Sequence, residues 1–507
     1  MNGAPEDVQG LINELQSKTK IPLLVAANCD SGGDGAVKGG TYISSGAQSE
    51  ASRDTWVPYH AGLVSAREET ALGVNVNFDP CVDILQNWRN TIVNTRSYGT
   101  TAEDVIKYTN AYVEGLKSER EVVCCVKHFP GDGTEERDQH LILGVNELSV
   151  EEWENSFGKV YRNHIDNGVE MIMAGHIALP EYQKALRLEL EDKDILPATL
   201  AEELIQDLLK EKLDFNGMVI TDASHMLGMS SAMRREDYVP GAIAAGCDMF
   251  LFFNNMEEDF NFMLNGYKNG VITEERMKDA LRRILGLKAK LHLPEKQENR
   301  TLLKSSEELS VIGCKEHLEW QREAAERGIT LVKDTQNMLP LNLENHKRIL
   351  LQLLGSFDSN ERVLKKVTEE LEKRDFEITV YEPETDFFDL GTVASFSNDY
   401  DAVLYIANVQ NASNQTVARI HWHTLFGLGN NMPWFTKELP TALISFGNPY
   451  HLYDLPMVDT VINTYCNYDH FIEMAIKKLT GESSFKGVSP VNAFCDNSLL
   501  ERLKNED

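Results

Sequence analysis

Six short apolar runs, each separated from the next by a longer amphipathic stretch, decide most of what this chain can become. They are Pro22–Ala27, Val74–Phe78, Val122–His128, Met171–His176, Met218–Asp222 and Asp248–Phe253. Each is too short for a helix and is bounded by Gly, Pro, Asp or Asn. Strands joined by long crossovers must run parallel, because a tight hairpin connects only antiparallel neighbours. The intervening stretches announce helix starts. Ser149 with Glu152 and Thr199 with Glu202 have the spacing of capping boxes, and Thr101 with Asp104 resembles one. Gly168 and Gly217 stand where helix-ending glycines belong.

A charged segment follows and reads as a linker with a helix, over 294–323. Beyond it, 324–507 has its own strand pattern at Arg348–Leu354, Glu377–Tyr381, Asp401–Ala407, Thr441–Phe446 and Thr460–Tyr465. A helical pattern at Asn360–Arg374 lies among them, so a second, smaller α/β domain is expected. Trp422, Trp434, His421 and His423 in this block are expected to fill cores or interfaces rather than to act.

Composition excludes several classes. With 49 basic and 79 acidic residues the net charge is −30, which repels nucleic acid and anionic membranes at long range. No apolar run reaches the roughly 18–20 residues that span a bilayer. The first 20 residues lack the pattern of a secretory signal. The eight cysteines are scattered, several within strand-like runs, which suits a reducing cytoplasm better than a disulfide framework. On that reading the sequons at Asn411 and Asn414 carry no weight.

Chemistry-bearing residues gather at the carboxyl ends of the predicted strands, where parallel α/β folds place their sites. The third run ends in Lys127-His128-Phe129-Pro130-Gly131-Asp132-Gly133, and Asp138 and His140 follow closely. Two residues apart in a loop, Asp138 can orient the His140 ring, giving a general acid that then serves as a base. Asp222 ends a buried strand, where a carboxylate is costly unless paired or used, and it can attack an electrophilic carbon. Arg96 in Asn94-Thr95-Arg96-Ser97-Tyr98-Gly99 can grip oxygens. His176 and Asn28 sit at two further strand ends. The spacing of His128, Asp132, Asp138 and His140 matches no metal motif, so no metal is expected.

Together these residues resemble glycoside hydrolase family 3, in its β-N-acetylglucosaminidase branch. The Lys127–Gly133 stretch with its downstream Asp138-Gln139-His140 carries the resemblance most strongly. Ile329–Pro340, Phe446–Leu452 and Ser489–Cys495 extend it across the second block. The resemblance implies a (β/α)8-type barrel over 1–293, followed by an α/β sandwich domain. It implies a retaining exo-glycosidase that releases terminal β-linked N-acetylglucosamine, with no cofactor. Asp222 would be the nucleophile and His140 the acid/base with Asp138 its partner. Arg96, Lys127 and His128 would hold sugar hydroxyls, and His176 would line the pocket. Related enzymes often carry Asp where the first strand ends. Asn28 stands there in this chain, which makes that contact neutral. The substrate would be an amino-sugar glycoside such as a cell-wall or chitin fragment. Because a neutral His does not repel an anionic acceptor, phosphate is an alternative to water. A β-glucosidase or β-xylosidase, or an inactive homologue, are the other readings. Six strands fall two short of a closed barrel. The 21 residues before Pro22 offer a helix-like Asp7–Ser17 and no strand. A barrel lacking its first two strands, with open edges prone to self-association, is therefore expected.

Overall fold

The computed structural model describes residues 3–355, 360–382, 392–422, 432–497 and 501. The chain forms two compact units. The first comprises Met1–Gly46, Thr55–Leu318 and Ser413–Thr416, and the second Ala47–Asp54, Glu319–Ala412 and Val417–Asp507.

In the first unit the strands are β1 (Ala26–Ala27), β2 (Val76–Asn77), β3 (Val123–Phe129), β4 (Gly144–Val145), β5 (Met171–Ala174), β6 (Ile177–Ala178), β7 (Met218–Ala223) and β8 (Met249–Leu251). Six of them form one parallel sheet in the order β1-β2-β3-β5-β7-β8, one strand from each apolar run. The register runs through Ala26↔Val76, Val76↔Val123, Cys125↔Met171, Ile172↔Val219 and Ile220↔Met249. Strands β4 and β6 make a separate parallel pair beside it. Helices Trp56–Leu72, Ala102–Lys117, Phe157–Asp166 and Arg235–Ala245 lie in the crossovers. Every residue of β3 is buried, as expected for a strand covered on both faces.

The sheet curls but does not close. Its apolar interior, with Val76, Phe78, Met171, Met173, Met218 and Ile220, is continuous with a cavity of about 430 Å³. Residues of both edges line that cavity, among them Ala26 and Ala27 of β1 and Met249 and Leu251 of β8. Phe252 and Phe253, just past β8, are exposed.

Two local expectations change. Ser149 and Glu152 make their capping box, and Thr101 caps its helix by accepting from the Asp104 amide. Thr199 does not cap a helix. It is buried and bonds His176, while a π-helix starts at Glu203. The left-handed residue after that helix is Asp214 (φ 55°), not Gly217. Gly217 is needed instead because a Cβ there would lie 2.4 Å from the Glu170 carbonyl oxygen.

The second unit is a six-stranded sheet of β9 (Thr330–Asp334), β10 (Arg348–Leu354), β11 (Glu377–Val380), β12 (Ala402–Ala407), β13 (Thr441–Ser445) and β14 (Thr460–Asn463). The order is β11-β10-β12-β13-β14-β9. All neighbours are parallel except β14 and β9, which are antiparallel. The expected strands are all present, and β9 is an addition. Trp422 packs on the core around Tyr405 and Trp434 stacks near Phe396, whereas His423 lies outside the described residues. Among the described residues no helix is long and apolar enough to cross a membrane.

Candidate active site

At the carboxyl end of β3, Lys127 is 2% exposed, so its ammonium must be paired inside the protein. It contacts Asp79 Oδ1 at 2.7 Å, Asp30 Oδ1 at 3.3 Å and Asn28 Oδ1 at 3.1 Å. The other oxygen of Asp30 accepts from Arg96 Nε at 2.9 Å. Burial alone would raise the Asp30 carboxyl, but Arg96 and Lys127 outweigh it and hold it well below the usual carboxylate range. Arg96, half-buried beside Asp30, is correspondingly held above its ordinary value. The ionised carboxylate at this corner is thus Asp30, two residues beyond Asn28. Asn28 meets the site through Lys127.

The next residue of β3 is tied to a different loop. His128 Nδ1 lies 2.7 Å from Asp83 Oδ2, and the other face of the ring reaches Asp222, with Nε2 4.0 Å from Oδ2. Asp83 is fully buried. Its Oδ1 also accepts the amides of His128 at 3.2 Å and Asp132 at 2.8 Å, and its Oδ2 accepts from the Cys81 thiol. Burial would raise the Asp222 carboxyl, yet the charge on His128 and the Ala223 amide, 2.7 Å from Oδ1, bring it below the ordinary value. Asp222 is therefore an anion at neutral pH, as a nucleophile must be. Cys81, Asp83 and His128 bring donor atoms within 4.8 Å of one another, but the proton shared by Asp83 and Nδ1 already occupies those atoms.

His176 is fully buried, with Nδ1 at 2.9 Å from the Thr199 hydroxyl and Nε2 at 2.9 Å from the Ala223 carbonyl. The Ala223 carbonyl fixes a proton on Nε2, and burial lowers the pKa of the ring, so the ring is neutral and Nδ1 accepts from the Thr199 hydroxyl. The ring braces the strand next to Asp222.

The Asp138–His140 pair forms as expected. His140 Nδ1 is 2.6 Å from Asp138 Oδ1, which also accepts the His140 amide at 2.9 Å. Asp138 Oδ2 accepts the Asn414 amide at 2.7 Å, from the short segment Ser413–Thr416 that packs as part of the first unit. Asp138 is buried, and its bond to His140 keeps its carboxyl below the ordinary value against that burial. Nδ1 thus carries the proton, and Nε2 is left for exchange with a bound group. Between the two residues, Gln139 accepts the His176 amide at 2.8 Å and donates to Asp132 at 3.3 Å, tying the loop to the floor.

The arrangement gathers an ionised carboxylate, an imidazole of fixed tautomer and a cation-braced carboxylate at one end of a parallel sheet. Sequence reasoning gave no role in the site to Asp30, Asp79, Asp83, Gln139 or Thr199. Asp79 and Asp83 were findable by the rule already applied to Asp222, since both follow the strand β2. Nothing local marks Asn414.

A parallel β/α sheet with its charged groups at the strand ends is the build of many glycosidases. Residues 6–287 match the model of the glycosyl hydrolase family 3 N-terminal domain. The chain is 41% identical over 496 residues to a β-N-acetylglucosaminidase/β-glucosidase of Cellulomonas fimi, covering 96% of this chain and 87% of the relative. A solved β-glucoside phosphorylase, BglX, superposes with a TM-score of 0.93 at 36% identity, over 98% of this chain and 89% of that one. A family 3 β-N-acetylglucosaminidase from Paenibacillus sp. str. FPU-7 shares the fold, with a TM-score of 0.78 at 23% identity over 98% and 92% of the two chains. The chain belongs to glycoside hydrolase family 3.

Proposed function

We propose that the first unit is a retaining exo-glycosidase that removes terminal β-linked N-acetylglucosamine. The observation that carries this reading is Asp222, an ionised carboxylate at a strand end, in the same site as the Asp138–His140 pair. Asp222 attacks the anomeric carbon, and His140 Nε2 protonates the departing oxygen as the glycosidic bond breaks. The glycosyl ester on Asp222 is then opened by an acceptor that gives its proton to His140. Asp30, held by Lys127 and Arg96, accepts sugar hydroxyls. A cytoplasmic location is supported by eight cysteines not joined in disulfides, six of them buried.

Phosphate is the second reading for the acceptor. His140 as base leaves no carboxylate to repel an anion there, and the similarity to a β-glucoside phosphorylase supports it.

The test is turnover of aryl β-N-acetylglucosaminide, β-glucoside and β-xyloside, each with and without phosphate. Asp222→Asn should lose at least about a thousandfold in rate with its fold intact. An unchanged rate in that variant overturns the reading, and a sugar 1-phosphate product assigns phosphorolysis. A preference for the glucoside or xyloside reassigns the sugar.

A further inference from the structure

Asp83 is fully buried, and it spends both oxygens on the groups that shape the site. Its Oδ2 takes the proton of His128 Nδ1 at 2.7 Å. Its Oδ1 takes the amides of His128 and Asp132, fixing the backbone where β3 turns into the catalytic loop. The ring so held presents Nε2 to Asp222, 4.0 Å away. A buried carboxylate, an imidazole and a second carboxylate thus stand in sequence, and the imidazole reaches both carboxylates.

We propose that Asp83 is a positioning residue for the reaction, holding the His128 ring by its Nδ1 proton so that Nε2 is set against the Asp222 nucleophile. The inference rests on the reading of Asp222 given above. A carboxylate buried this deeply is retained at a cost, and the hydrogen bonds it accepts from His128, Asp132 and Cys81 offset it. Without Asp83 the ring loses the acceptor of its Nδ1 proton and its fixed orientation toward Asp222. Asp222 then loses a neighbour that holds its carboxyl down and takes up a proton at higher pH. Other charged or titratable groups face the pair. Cys81, Asp132, Tyr161 and Arg96 face Asp83, and His176, His140 and Cys125 face Asp222. None of these bridges the two carboxylates as His128 does.

The decisive measurement is the pH profile of kcat/KM for Asp83→Asn. The amide keeps an oxygen for the two backbone donors, while its NH2 replaces the acceptor of the Nδ1 proton and the charge is lost. The acid limb should move upward by about one pH unit or more. Cys81→Ala, which removes the neutral thiol beside Asp83, should leave the limb in place, so a general loosening of the pocket is separated from loss of charge. An acid limb that stays put in folded Asp83→Asn overturns the proposal. If Asp83→Asn does not fold, 15N-histidine spectra of the unmodified chain decide. They should show a downfield Nδ1 proton that disappears in His128→Gln, and a His128 protonated on Nε2 alone overturns the proposal. Full activity in Asp222→Asn would instead sink the underlying assignment, a separate and recognisable outcome.

Discussion

The carboxyl group of Asp132 sits within reach of three donors, Asn90 Nδ2 at 3.0 Å, Gln139 Nε2 at 3.3 Å and the amide of its own neighbour Gly133 at 2.6 Å. Burial first, and then the negative charge of Asp83, push it up to about 8. It is therefore mostly protonated at neutral pH, although Asp83 close by is charged. The folded value lies above the unfolded one, so the folded chain holds this proton more tightly. The stability it contributes is present at low pH and is lost as pH rises towards about 8. Asp132→Asn should flatten that fall in chemical denaturation measured between about pH 4 and pH 8. An unchanged slope would mean that Asp132 titrates normally. Asp222 carries the opposite expectation. Because its carboxyl lies below the ordinary value, the acid limb of kcat/KM should lie below the usual carboxylate range. The same profile read in His128→Gln should place that limb higher.

Among the elements, the turn leaving β3 is the most constrained. Gly131 and Gly133 have φ of +122° and +105°. A Cβ on Gly133 would sit 2.2 Å from the Ile84 carbonyl oxygen, and one on Gly131 2.1 Å from the Phe157 ring. Both glycines are thus required twice over, by backbone conformation and by space. Gly133→Ala should cost about 1–3 kcal/mol in stability. It should also cut kcat/KM, because the displaced loop carries Asp138 and His140, and calorimetry with kinetics on one preparation checks both. The π-helix Glu203–Lys212 is the counter-example at this scale. Its upstream Thr199 has the spacing of a cap, but the buried nitrogen of His176 claims the hydroxyl first. A buried polar atom left unpaired costs more than a missing cap, so the tertiary partner prevails.

In the first unit as a whole, the sheet is open between β8 and β1, with apolar side chains facing the cavity and Phe252 and Phe253 beyond it. Unpaired edges beside apolar surface favour association. The folded chain should bind an apolar dye such as ANS and should scatter more light as its concentration rises. Phe253→Lys should reduce the association without altering the fold. A monodisperse monomer that ignores the dye would show that the gap is closed in solution.

Strand–helix alternation, the parallel order and the six strand positions were legible in the chain, because apolar runs of that length between polar crossovers admit few other solutions. The residues at the strand ends were legible for the same reason, since a charge that ends a buried run must be paired or used. Asp222, His128, Lys127 and the Asp138–His140 pair all follow from that rule. What was not legible is which charge answers which. The pairing of Asp30 with Arg96 and Lys127, of Asp83 with His128, and of the Asn414 amide with Asp138 joins residues 66, 97, 45 and 276 positions apart. Local propensity and spacing decay over a few residues. Electrostatic pairing and close packing act through space, so only the tertiary structure could decide them.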